Sequence, residues 1–137
     1  MVPPLAERES CFQLWLGKLS KVSKELSIGI HFYCNDTTRK AVLLENKRMA
    51  LNMSITFEAF YDWEDFLVLS RSINPNDLLV VVSSRKGAVS YIPLLDNIPS
   101  KLEKHFEANN RIIIYPPQRG INPLSVSYDD LNTNPLT

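Results

Sequence analysis

The five residues Leu78-Leu79-Val80-Val81-Val82 constrain this chain more than any others. They form an unbroken apolar run between the turn-forming Asn74-Pro75-Asn76-Asp77 and the polar Ser83-Ser84-Arg85-Lys86-Gly87. A short run, apolar at every position and bounded by turn residues, reads as a strand buried on both faces. Strands of that kind belong to parallel sheets covered by helices on either side. Ligands of open α/β sheets sit beyond the carboxyl ends of such strands. Ser83, Ser84, Arg85, Lys86 and Gly87 are therefore the candidate ligand-binding segment. Their hydroxyls, cations and glycine suit an anion or a nucleotide phosphate.

The flanking pattern alternates helix and strand. Residues 1–9, with Pro3-Pro4, read as an irregular lead-in. A helix follows from about Ser10, its N-cap, to Glu25. Its apolar stripe is Phe12, Trp15, Leu16, Leu19, Val22 and Leu26. Ile28 to Tyr33 reads as a strand, and Asn35-Asp36-Thr37 opens a second helix from about Thr38 to Leu51. Ile55, Phe57 and Ala59 alternate with Thr56, Glu58 and Phe60, the period of a half-buried, edge-type strand. Asp62 caps a third helix whose inner face is Trp63, Phe66, Leu67 and Ser70. After the apolar run, a short turn or helical piece is expected near Tyr91 to Leu95. A helix then starts with Pro99 near N1 and runs to about Glu107. Arg111 to Tyr115 is a last apolar strand, stopped by Pro116-Pro117. Residues 118–137 are polar and read as a flexible tail. Residues 10–117 thus make one α/β domain, with a parallel sheet of four or five strands and helices on both faces. Doubly wound domains ordinarily open on a strand. Here a helix comes first, so the first strand is either lacking or supplied from outside this stretch.

Composition narrows the function classes. The chain has 137 residues, enough for one domain with a multilayer core. Its 15 basic and 15 acidic residues cancel, which argues against a general nucleic-acid binder. No apolar run approaches the roughly 20 residues that span a bilayer, and the N-terminus lacks the layout of a signal peptide. Cys11 and Cys34 have no CxxC spacing and read as buried thiols in a reducing cytoplasm. His31 and His105 stand apart from other ligand-type residues, so no metal is expected. Tyr61-Asp62-Trp63-Glu64-Asp65 could be an acid pair or a docking surface, but a capped helix start explains it without any activity. The chain has no GxSxG, HExxH, P-loop or GxGxxG motif. No residue is assigned a catalytic role, and no enzyme is expected.

Asp77 to Gly87, Ser90-Tyr91, Leu102-Glu103-Lys104 and Arg111-Ile112-Ile113-Ile114-Tyr115 together resemble the last third of a universal stress protein domain. The resemblance implies an adenine nucleotide alpha hydrolase-like, three-layer α/β sandwich. Nucleotide-binding members of that family carry G-2x-G-9x-G-[ST] in this region, where glycines let the backbone approach the phosphates. Here Val82 and Arg85 stand near the first two glycine positions, and Leu95-Asp96 replaces the Gly-Ser/Thr pair. Gly87 alone remains nearby, and Asp96 would repel a phosphate. The departures imply that ATP or AMP binding is lost or much weakened, so no cofactor is expected.

A narrower resemblance rests on Leu26-Ser27-Ile28-Gly29-Ile30-His31-Phe32-Tyr33, Phe60-Tyr61-Asp62-Trp63-Glu64-Asp65-Phe66 and Val82-Ser83-Ser84-Arg85-Lys86-Gly87. Together these look like the C-terminal cytosolic region of bacterial monovalent cation:proton (sodium/hydrogen) antiporters. That resemblance implies a non-catalytic regulatory or assembly domain on the cytoplasmic side of the inner membrane, soluble when isolated. Its partner would be the membrane domain of the same transporter. Pairing of the last strand, Arg111 to Tyr115, would give a homodimer, and no nucleic acid is implied. The alternative is a free-standing universal stress protein that binds an adenine nucleotide.

Overall fold

The computed structural model describes residues 1–117. The tail expected over 118–137 lies outside the described residues. Three α-helices and four strands alternate: α1 (Phe12–Leu26), β1 (Ile30–Cys34), α2 (Asp36–Arg48), β2 (Ile55–Ala59), β3 (Leu78–Val82), α3 (Ile98–His105) and β4 (Asn110–Ile114). Short 3-10 helices occupy Ala6–Arg8, Trp63–Arg71 and Pro93–Asn97.

Helix α1 starts later than Ser10. Cys11 holds the cap position with no side-chain cap, and the Ser10 hydroxyl lies 3.9 Å from the Cys11 sulfur. The helix ends at Ser27, which adopts the left-handed conformation at φ 54°. A serine tolerates that strain because the next residue is held twice. The Ile28 N–H donates to Ser23 O at 3.0 Å, and the Ser23 hydroxyl donates to Ile28 O at 2.5 Å. Helix α2 has the expected polar start: Asn35 Oδ1 accepts from the Thr38 N–H at 2.8 Å.

The third helix expected from the sequence is a 3-10 helix. Trp63, Phe66 and Leu69 are its buried residues, spaced three apart. A 3-10 helix has three residues per turn, so that spacing makes one straight stripe. The α-helical reading placed Leu67 and Ser70 on the inner face. Both are only half-buried, and the Ser70 hydroxyl turns back to Leu67 O at 2.8 Å.

The strands make two parallel pairs. β1 pairs with β2 from Ile30↔Ile55 to Cys34↔Ala59, and β3 pairs with β4 from Leu78↔Asn110 to Val82↔Ile114. The single sheet of four or five strands expected from the sequence is thus two two-stranded sheets. What lies between them is the chain's own beginning. The Met1 nitrogen donates to Val80 O at 2.8 Å, and the Val82 N–H donates to Met1 O at 3.0 Å. On the other side the Val2 N–H donates to Tyr33 O at 3.1 Å. These are parallel-ladder contacts, too few to make a strand. The order across the molecule is β2, β1, Met1–Val2, β3, β4.

Residues 1–9, expected to be irregular, hold the 3-10 helix Ala6–Arg8, and their first part is central. Met1 is 7% and Val2 2% exposed. They alternate like strand residues. Met1 joins a core with Phe66, Leu79, Val81, Ile98, Leu102 and Phe106. Val2 joins the opposite core with Phe12, Trp15, Leu16, Phe32, Val42 and Val82. One core lies under α1 and α2, the other under α3 and the 3-10 helices Trp63–Arg71 and Pro93–Asn97, so helical elements cover both faces of the strands. Cys11 and Cys34 are buried, unbridged thiols. No helix among the described residues is long and apolar enough to cross a membrane.

Candidate functional site

Beyond β3, the Ser83 N–H donates to Ile114 O at 2.8 Å and extends the pairing with β4 by one step. That contact draws Ser83 and Ser84 inward, to 1% and 4% exposure. Both hydroxyls are buried, with no hydrogen-bond partner among the described residues. Arg85, Lys86 and Gly87 are exposed, so the structure separates the hydroxyls of the candidate segment from its cations. The Arg85 guanidinium lies over the Tyr115 ring, 4.8 Å from its centroid, joining the ends of β3 and β4.

Gly87 has a local task. Its φ is 95°, and the Ala88 N–H donates to Arg85 O at 3.1 Å. This is a tight turn with a left-handed residue at its third position, where glycine is preferred. The glycine of the segment therefore shapes the turn.

The residues that complete this end of the molecule were not apparent from the sequence. The Glu9 Oε2 accepts from the Ser90 N–H at 2.9 Å and from the Ser90 hydroxyl at 2.5 Å. Thr38 donates its hydroxyl to Glu7 Oε1 at 2.7 Å. The loop after Met1–Val2 is thereby tied to α2 on one side and to the loop after β3 on the other. In open α/β sheets the ligand crevice lies between the loops of the two strands where the winding reverses. Here those loops are residues 3–11 and 83–90. The donors of Ser90 that could meet an anion already hold a carboxylate of the same chain. Asp96 is also engaged: the Tyr91 hydroxyl donates to its Oδ2 at 2.5 Å, which raises the Tyr91 pKa.

His31, a mid-strand residue as expected, takes part in a cross-strand cluster. Its Nδ1 is 2.6 Å from Thr56 Oγ1 and its Nε2 3.5 Å from Glu58 Oε1. Its ring meets Tyr33 edge-on at 4.9 Å. Burial first, then the nearby Glu58 and Asp77 carboxylates, raises the Tyr33 pKa. These are the side-by-side contacts that parallel β1–β2 pairing produces, and they need no ligand. Among the described residues no group of three His, Cys, Asp or Glu side chains could hold a metal ion. Burial pushes the Cys34 thiol up to about 11, which keeps it protonated and a poor nucleophile near neutral pH. Asp62 acts as the helix cap, its Oδ1 accepting from the Glu64 N–H at 2.9 Å.

No family model, curated protein or solved structure matches this chain.

Proposed function

We propose that this chain is a universal-stress-like regulatory or assembly module of a monovalent cation:proton antiporter, without catalysis of its own. The observation that carries the reading is the Glu9–Ser90 contact. It sets an internal carboxylate against donors of the loop after β3, beyond the carboxyl ends of the strands, where nucleotide-binding members of the family the chain resembles would place phosphates. The parallel strands with helical cover on both faces agree with a three-layer sandwich of that type. A module of this kind acts by shifting the transporter's conformational populations through contacts with its membrane domain.

β4 supports the homodimer of this reading. It pairs with β3 alone among the described residues, and Ile112 is 46% exposed on it. An exposed apolar edge of that kind is a template for pairing with a second copy.

The alternative reading, a free-standing adenine nucleotide-binding stress protein, is favoured by the buried hydroxyls of Ser83 and Ser84, which have no partner among the described residues. Two measurements separate the readings. Calorimetric titration with ATP and AMP is expected to show no saturation up to about millimolar nucleotide, a Kd limit that corresponds to about 4 kcal/mol. Saturable binding that is lost in Arg85→Ala and Lys86→Ala would establish the alternative. Sequencing upstream of the Met1 codon tests the transporter reading directly. A frame that encodes many apolar spans joined to this domain supports it, and a stop codon immediately upstream rejects it.

A further inference from the structure

Charge is divided unevenly along this neutral chain. Residues 12–51, which hold α1, β1 and α2, carry seven Lys and Arg residues against three Asp and Glu. The remaining residues carry eight against twelve. Such an asymmetry points to an anionic partner for the basic side.

The two helices of the basic stretch lie side by side. Gln13 stands against Glu45, the Met49 methyl lies beside Gly17, and the Ser20 hydroxyl donates to Leu51 O at 3.4 Å. Their inner faces share the core of Phe12, Trp15, Leu16 and Val42, so their outer faces make one surface. On α1 that surface is Leu14, Lys18, Lys21 and Glu25, spaced three and four apart. On α2 it is Lys40, Leu43, Leu44 and Lys47, again at helical spacing. Leu14, Leu43 and Leu44 are 50%, 42% and 61% exposed. Lys18, Lys21 and Lys47 have no ion-pair partner among the described residues, whereas Asp36 and Glu45 are held by Arg39, Lys40 and Arg48.

Exposed leucines interleaved with unpaired lysines suit one kind of partner. A bilayer with anionic headgroups attracts the ammonium groups and offers apolar depth to the leucines. Lysine stems lie along the same apolar boundary while their heads reach the phosphates. A nucleic acid would leave the leucines with nothing apolar to enter. The arginines, which grip phosphates best, are already tied to Asp36 and Glu45.

We propose that the outer face of α1 and α2 is a docking surface for an anionic lipid bilayer, with Lys18, Lys21 and Lys47 at the headgroups and Leu14, Leu43 and Leu44 entering the acyl boundary. Both helices would lie in the plane of the interface. The assignment stands on surface chemistry and is independent of the transporter reading.

Flotation of the full chain with lipid vesicles tests it. Vesicles of phosphatidylglycerol and phosphatidylcholine in equal parts should carry at least about ten times more protein than vesicles of phosphatidylcholine alone. Most of that difference should vanish at about 1 M salt, where the Debye length falls to about 3 Å. Lys18→Glu with Lys21→Glu should lower binding at least about tenfold. Leu14→Ala with Leu44→Ala should lower it about threefold or more, with Tm little changed because both residues are exposed. Lys101→Glu with Lys104→Glu makes the same charge change on α3, over the opposite core, and should stay within about twofold of the parent. A parent chain that does not float with the anionic vesicles overturns the proposal. Equal losses from the α1 and α3 pairs also overturn it, because net charge is then the whole effect. Full binding by the leucine pair does the same, since nothing then enters the acyl boundary. Binding to duplex DNA that the α1 pair abolishes, with no vesicle binding, would assign the face to nucleic acid instead.

Discussion

Glu9 and Ser90 meet across 81 positions of sequence, with one carboxylate oxygen accepting both the backbone N–H and the hydroxyl of the serine. Ser90 is buried, so its N–H has no ready access to water once that acceptor is gone. Glu9→Ala is expected to cost about 1–3 kcal/mol, the cost of leaving buried donors unsatisfied. Glu9→Gln keeps a carbonyl acceptor and should lose less. Urea unfolding of the two variants checks this order. Equal stability of Glu9→Ala and the parent chain would show that the contact contributes nothing.

In a chain that begins at Met1, the buried amino group makes stability depend on pH. Desolvation lowers the Met1 amine from 8.0 to about 5, and the nearby Cys34 acts weakly in the opposite direction. Around Cys34 the charged neighbours are Arg39, Glu7 and Asp36, while its own thiol stays neutral. The unfolded chain holds the proton up to about pH 8, and the folded chain releases it by about pH 5. Between those values the unfolded state binds more protons, so stability rises with pH. The contribution is complete above the unfolded pKa and is lost as pH falls to the folded one. Its slope is at most about 1.4 kcal/mol per pH unit. Acetylating the amine should flatten this part of the curve. Urea midpoints of free and acetylated protein that run parallel from pH 5 to 8 would contradict it.

Helix α1 has one buried face, and the cost of truncation should follow it. Leu16 is 0% and Leu14 50% exposed. Leu16→Ala is expected to cost about 2–5 kcal/mol through lost burial and the cavity left behind. Leu14→Ala should stay within about 0.5 kcal/mol. Thermal unfolding of the pair reads the difference, and similar losses would mean that α1 presents a different face to the core.

The edge of β4 sets the expectation for assembly. Light scattering after gel filtration should give a dimer mass for the parent chain. Ile112→Lys should shift the mass to a monomer, because a lysine on an exposed edge opposes strand pairing. Its thermal stability should change little, since Ile112 is already half in water. A parent chain that is monomeric at every concentration removes the dimer from the reading.

Asn109 offers a purely structural test. Its side-chain amide donates to Asn74 O at 2.7 Å and Asp77 O at 3.1 Å, closing the turn before β3 onto the start of β4. Asn109→Ala is expected to cost about 1–3 kcal/mol. Faster amide exchange should appear at Leu78 and Leu79 before the rest of the domain opens.

Local chemistry was legible in the sequence. Leu78 to Val82 had to be a buried strand, because a run apolar at every position has no polar face to offer water. The Asp62 and Asn35 caps and the helix-starting Pro99 were equally plain, since each acts on backbone groups within a few residues. The segment after Asp62 was ambiguous: its apolar residues fit either helical period, and packing selected the 3-10 turn that buries Trp63, Phe66 and Leu69 together. Long-range placement was decided by tertiary structure alone. Nothing in Met1-Val2 marks a position between two sheets, because backbone pairing depends on which edges the fold leaves open. Glu9 and Ser90 likewise carry no signature, since any carboxylate and any serine could meet. The candidate segment Ser83 to Gly87 was found by its place after a strand. Its division into buried hydroxyls and exposed cations came from the contact of Ser83 with β4, which turns one end of the segment inward and leaves the other in water.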